Sequence, residues 1–136
     1  MQRGFSLMEL MVVIAIIAIL VGIAIPSYSA YTKRAHFTQA IQSIAPYKIA
    51  VALCFQQTGQ LESCSAGHHH IPKDKQYPSN QLVHSIHVAS GGIITLTPNN
   101  IKGFSSEDRY ILTPLIKHQT LFWNSSGLAV DKNYAK

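Results

Sequence analysis

The segment LMVVIAIIAILVGIAIPSYSAY, residues 10–31, decides how this chain is read. It runs for 22 residues without a charge. At about 1.5 Å of rise per helical residue, it covers the roughly 30 Å of a bilayer's hydrocarbon core. A cleavable secretory signal has an apolar region of only about 7 to 15 residues, ending at small residues. Here the apolar run continues to Pro26 and then meets Ser27-Tyr28-Ser29-Ala30-Tyr31, which argues for retention of the segment. Composition agrees: 12% of the residues are charged and 47% hydrophobic, where soluble chains carry roughly a quarter charged residues, so apolar sequence is concentrated at the N-terminus.

One charge, Glu9, stands at the very start of the run. A carboxylate near hydrocarbon costs about 2.5 to 3.5 kcal/mol on insertion scales unless it reaches the headgroups or finds a partner. Glu9 either marks the membrane boundary or serves assembly, and that cost favours the second reading.

The first twenty residues, MQRGFSLMELMVVIAIIAIL, resemble the prepilin leader and class III signal of type IV pilins and their pseudopilin relatives. The resemblance implies that residues 1–4 are a leader, that a prepilin peptidase cuts between Gly4 and Phe5 on the cytoplasmic side, and that Phe5 is then N-methylated. It implies a transmembrane and polymerisation helix over 5–31, handled by the pilus assembly machinery of the inner membrane. It also implies a homo-oligomeric helical filament in which Glu9 pairs with the N-terminal amine of a neighbouring subunit. Such a pair is strongly attractive in a dry helical bundle, and burial without it is costly, so pairing rewards correct register over random apolar contact. A glycine before the cut lets a protease approach the backbone closely. Pro26 and Pro46 match positions where pilins carry helix-bending prolines, each removing an i to i−4 hydrogen bond, so the long helix is expected to curve gently. Gly22 ahead of Pro26 makes residues 18–26 the segment expected to loosen when subunits pack.

Arg3 precedes the span and Lys33 and Arg34 follow it, so charge alone leaves the orientation open. The two cysteines, Cys54 and Cys64, lie outside any CxxC or zinc-ligand spacing, which favours a disulfide in an oxidising compartment over a metal site or redox pair. The C-terminal part is therefore expected to face the periplasm as a precursor and to end in an extracellular pilus.

Residues 32–136 read as a head. Phe37, Ile41, Ile44, Val51 and Phe55 fall near one helical face, interrupted by Lys48, and predict a helix continuing from about Phe5 to Gln57. Residues 58–81 are rich in Gly, Ser, Pro and His without apolar periodicity and read as a loop, which a Cys54–Cys64 bridge would pin to the helix. In the best-known pilins a disulfide staples the C-terminal region instead, and no late cysteine exists here. Strand-like runs occupy 82–89, 93–97, 110–115 and 119–123, with Gly91-Gly92 as a tight-turn signal, and residues 125–136 read as an exposed tail along the sheet edge. The expected fold is α+β: a long N-terminal helix on a four-stranded antiparallel sheet spanning about 82–124, pilin-like.

His68, His69 and His70 are consecutive, with His84 and His87 downstream. Adjacent loop residues chelate one ion poorly, so a solvated loop is expected and no metal. GxSxG, HExxH, phosphate-loop and paired-carboxylate patterns are absent from the sequence, so neither catalysis nor a cofactor is expected. The formal charge is +5. Lys73, Lys75, Lys102, Arg109, Lys117, Lys132 and Lys136 would attract DNA phosphates if repeated along a polymer. The leading expectation is a major pilin serving adjacent roles in adhesion to host surfaces, twitching motility or DNA uptake in natural transformation. The rivals are a minor pilin or type II secretion pseudopilin and, from another class, a membrane-tethered binding module with an uncut anchor.

Overall fold

The computed structural model describes residues 4–136. The chain falls into two compact units, Met1–Thr32 and Lys33–Lys136. Helix α1, Leu7–Gln42, supplies all the regular structure of the first unit and enters the second. Its apolar side chains from Leu7 to Tyr31 have no packing partner among the described residues; Ile14 is 57% exposed and Ile23 68%. This helix is long and apolar enough to cross a membrane. Pro26 lies inside it, and the hydroxyls of Ser27 and Thr32 donate back to the carbonyls of Ile23 and Tyr28 nearby. Residues 18–26 are helical throughout in this isolated chain.

The expected single helix to Gln57 is instead two. Helix α1 ends at Gln42, the chain tightens through Ser43 and Ile44, whose amides bond to the carbonyls of Ala40 and Ile41, and α2 runs over Ala45–Thr58. Pro46 sits in the first turn of α2. It starts a helix rather than bending one, because proline's missing N–H is harmless in a first turn and its ring would clash with a carbonyl four residues back in a continuous helix.

The sheet has five strands, not four, in the order β1-β2-β3-β4-β5, antiparallel throughout. Strands β2 (Val83–Ala89), β3 (Ile93–Pro98), β4 (Tyr110–Lys117) and β5 (Thr120–Ser126) correspond to the four expected runs. The extra strand, β1, is Lys75–Gln76 on the edge beside β2. Two polar residues carry no alternation for a sequence reading to find.

Alternation sets the buried face: Ile86, Val88, Ile94, Leu96, Tyr110 and Leu112 point inward against Phe37, Ala40, Ile44, Tyr47, Val51 and Cys54. At the far end, Phe37, Phe104 and Tyr134 form an aromatic cluster with centroids 5.3 to 6.1 Å apart. Tyr134 comes from the segment expected to be an exposed tail. Instead, a short helix α3 (Leu128–Asp131) buries Ala129, and Val130, Tyr134 and Ala135 pack on the core. Lys48 escapes the apolar stripe by placing its ammonium 5.4 Å from the centre of the Trp123 ring.

Candidate assembly site

Gly4, Phe5 and Ser6 precede α1 as exposed, non-helical backbone, and a side chain at Gly4 would meet only open space. Phe5 is 83% exposed. Glu9 stands in the first turn of α1, where the helix dipole favours a negative charge. Ser6 and Glu9 close a reciprocal capping box: the Ser6 N–H donates to Glu9 Oε2 at 2.9 Å, and the Glu9 N–H donates to Ser6 Oγ at 3.2 Å. The sequence reading passed over Ser6, although the S-x-x-E spacing ahead of an apolar run signals this cap. Around Glu9, the side chains of Phe5, Met8, Val12 and Val13 line an open, largely apolar groove. Chemically, this end offers one carboxylate amid apolar surface, with one of its oxygens held by its own backbone.

Farther along, Gly22 and Pro26 lie within α1 and Pro46 opens α2. Cys54 and Cys64 are joined, with Cα atoms 5.9 Å apart across ten positions of sequence. The bridge fixes the start of the 58–81 segment beside β2 and the turn that follows it, where the Gly92 N–H donates to the Cys64 carbonyl and the Ala66 N–H to that of Val88.

The candidate DNA-binding residues do not collect on one surface. Lys75 lies on the β1 edge with its ammonium 4.9 Å from the Tyr77 ring centre, and Lys117 lies on the opposite side of the sheet, in the β4–β5 hairpin. Lys132 is engaged by the buried carboxylate of Asp108 at 2.7 Å, and this hydrogen bond raises its pKa. Lys73, Lys102, Arg109 and Lys136 are exposed on separate segments. The histidines are likewise dispersed: His84 bonds to Asn99 and His87 to Asp74, while His69 and His70 occupy left-handed backbone beside Ile49 and Leu53 of α2. Among the described residues, no three His, Cys, Asp or Glu side chains are placed to share a metal ion.

Comparison with known proteins adds to this geometry. Residues 1–25 match the family model of the prokaryotic N-terminal methylation motif. Over 113 residues the chain is 39% identical to prepilin peptidase-dependent protein D of Escherichia coli K12, covering 83% of this chain and 73% of that relative. It is 41% identical over 71 residues to the type IV pilus subunit protein TapA of Aeromonas hydrophila, covering 52% of this chain and 50% of that one. The chain thus spans about half the length of that pilus subunit. Among solved structures, the major type IV pilin PpdD from enterohemorrhagic Escherichia coli aligns with a TM-score of 0.55 at 26% identity, over 71% of this chain and 69% of the other.

Proposed function

This chain belongs to the type IV pilin family, and from that premise we propose that it is the major structural subunit of a type IV pilus. In this reading a prepilin peptidase removes residues 1–4, Phe5 is N-methylated, and the subunit waits in the inner membrane before the assembly machinery stacks it into an extracellular filament. The observation that carries it is Glu9, a carboxylate set among the unpartnered apolar side chains of α1. A membrane-spanning helix gains nothing from an acid there. A helix that must find one register among identical neighbours gains a partner-dependent lock, because the acid is tolerable in a dry bundle only beside an amine.

Adhesion, twitching motility and DNA uptake are the roles such a filament would serve. A positively charged subunit repeated along a fibre favours contact with polyanions through avidity, even though its cations are dispersed.

A minor pilin or pseudopilin is the second reading. It stands because the leader and Glu9 are features both classes share. Sheared surface filaments separate the two: a major pilin dominates their protein content, and mass spectrometry finds its N-terminus at N-methyl-Phe5. An intact Met1 would overturn the whole reading, and a processed chain nearly absent from filaments would leave the second. Glu9→Ala is expected to leave the protein in the membrane and to reduce filament yield at least ten-fold; wild-type yield would remove Glu9 from assembly.

A further inference from the structure

Lys33, His36 and Lys102 gather on one flank of the head, and among the described residues none of them takes part in an ion pair. Lys33 and His36 lie one turn apart on α1, and the loop between β3 and β4 carries Lys102 back to them, its Nζ 3.5 Å from His36 Nδ1. The loop achieves this with Lys102 in left-handed backbone at φ 53° and Gly103 at φ 78°. A Cβ on Gly103 would stand 2.9 Å from Lys33 Cε, so the loop backbone passes directly against the end of the Lys33 side chain. The loop thus sets the Lys102 ammonium beside the His36 ring and lays Gly103 against the end of the Lys33 side chain, so two lysines and a histidine share one small area of surface.

Among the described residues the ion pairs are Asp74 with His87 and Asp108 with Lys132, and neither includes Lys33 or Lys102. Beside Lys102 opens a cleft of about 340 Å³ with Gln39, Ser43, Tyr77 and Gln81 in its lining, polar groups suited to hydroxyl and ester oxygens. A phosphate seated there would gain a charge-assisted contact from each ammonium, with His36 orienting the Lys102 donor.

We propose that Lys33, His36 and Lys102 bind the phosphate of an anionic phospholipid while the subunit resides in the membrane. The inference rests on the membrane-resident stage of the proposed function. Sequence position selects lipid over nucleic acid as the source of the phosphate. Lys33 comes two residues after Tyr31, the end of the uncharged run, or about 3 Å of helical rise, which sets it at headgroup depth. Basic residues at that depth attract anionic lipids.

Native mass spectrometry of the full chain, released from micelles holding equal phosphatidylglycerol and phosphatidylcholine, tests this. The wild type is expected to retain phosphatidylglycerol at least ten-fold over phosphatidylcholine. Lys33→Gln and Lys102→Gln should each lower that retention about five-fold, the factor set by one juxtamembrane charge, with unchanged melting temperatures. Lys117→Gln, remote in the β4–β5 hairpin, should leave it unaltered. Equal retention of the two lipids, or a preference surviving in the Lys33→Gln/Lys102→Gln double variant, would overturn the site. Lysine-dependent binding of a short DNA duplex without lipid preference would overturn the choice of lipid. Filament yield measured in parallel keeps the two readings apart: lost lipid preference with normal pili refutes this site alone, and intact preference without pili refutes only the filament.

Discussion

Lys132 Nζ donates to Asp108 Oδ1 at 2.7 Å, joining the C-terminal segment to the loop before β4. Asp108 is 1% exposed, and its other oxygen accepts from the Ser105 N–H at 2.9 Å. The carboxylate is therefore sealed between a turn of its own loop and one ammonium that reaches water.

The two ends of this pair are not equivalent. Lys132→Met leaves a charge buried with a single backbone donor and is expected to be the more destabilising of the two changes. Asp108→Asn leaves a neutral group that still bonds, with a solvated lysine, and should cost about 1 to 2 kcal/mol. Urea unfolding of the full chain in mild detergent, followed by near-ultraviolet circular dichroism, measures both. Equal losses would show that the charge itself is not what holds the segment.

Alkaline pH should loosen the same region. Burial raises the Tyr110 and Tyr47 phenols above their ordinary 10.0, and the Asp108 hydrogen bond raises Lys132 above 10.5. Each folded-state pKa lies above its unfolded value, so the fold holds these protons more tightly than the unfolded chain does. Their contribution is fully present below the unfolded values and is lost as pH rises through the folded ones. The melting temperature should accordingly fall above about pH 10, and Tyr110→Phe should soften the fall. A Tyr110→Phe profile that tracks the wild type through that range would contradict this.

These linkages mark where the sequence stopped being legible. The uncharged run, the stripe from Phe37 to Phe55 and the four longer strands announce themselves through periodicity, a local property of the chain. Residues 75–76 and 128–131 form elements too short to carry a period. Pro46 was readable as a disruption, but proline is compatible both with a kink and with a helix start. Lys132 looked like one more surface cation because its partner lies 24 positions earlier in the chain. At the assembly end the reverse holds: Ser6 and Glu9 are three residues apart, and their cap was present in the sequence as spacing alone.

Cys54 and Cys64 close a short ring that fixes the start of the 58–81 segment. Reduction, or Cys54→Ser with Cys64→Ser, should lower stability by about 3 kcal/mol on the chain-entropy estimate. The amides of Ala66 and Gly92, bonded to the carbonyls of Val88 and Cys64, should then exchange with solvent faster while those of β3 and β4 stay protected. Uniform loss of protection across the sheet would mean that the bridge supports the whole head.

Gly91 and Gly92 turn β2 into β3 with positive φ at both positions, yet they differ in surroundings. A Cβ on Gly92 would meet Val51 Cγ1 at 2.7 Å and Pro114 Cγ at 3.3 Å, whereas on Gly91 it would meet nothing. Gly91→Ala should cost about 1 kcal/mol from backbone conformation alone. Gly92→Ala adds overpacking against α2 and should cost about 3 kcal/mol. Thermal melts of the two variants check the ordering, and similar losses would show that Val51 yields without penalty.

Ser6 offers the closest view of how Glu9 is held before assembly. Its Oγ accepts from the Glu9 N–H while its own N–H donates to the carboxylate, so one side chain and one amide keep the acid turned back on the helix end. Ser6→Ala removes the first bond and should weaken the cap by about 1 kcal/mol, which appears as roughly five-fold faster exchange of the Glu9 amide. Ser6→Thr keeps an oxygen in place and should restore most of the protection, since threonine caps nearly as well as serine. Hydrogen exchange on the full chain in micelles reads both variants at a single amide. If Ser6→Ala exchanges at the wild-type rate, the helix end is fixed by the carboxylate bond alone, and Glu9 could not leave for a neighbouring amine without unravelling its own first turn.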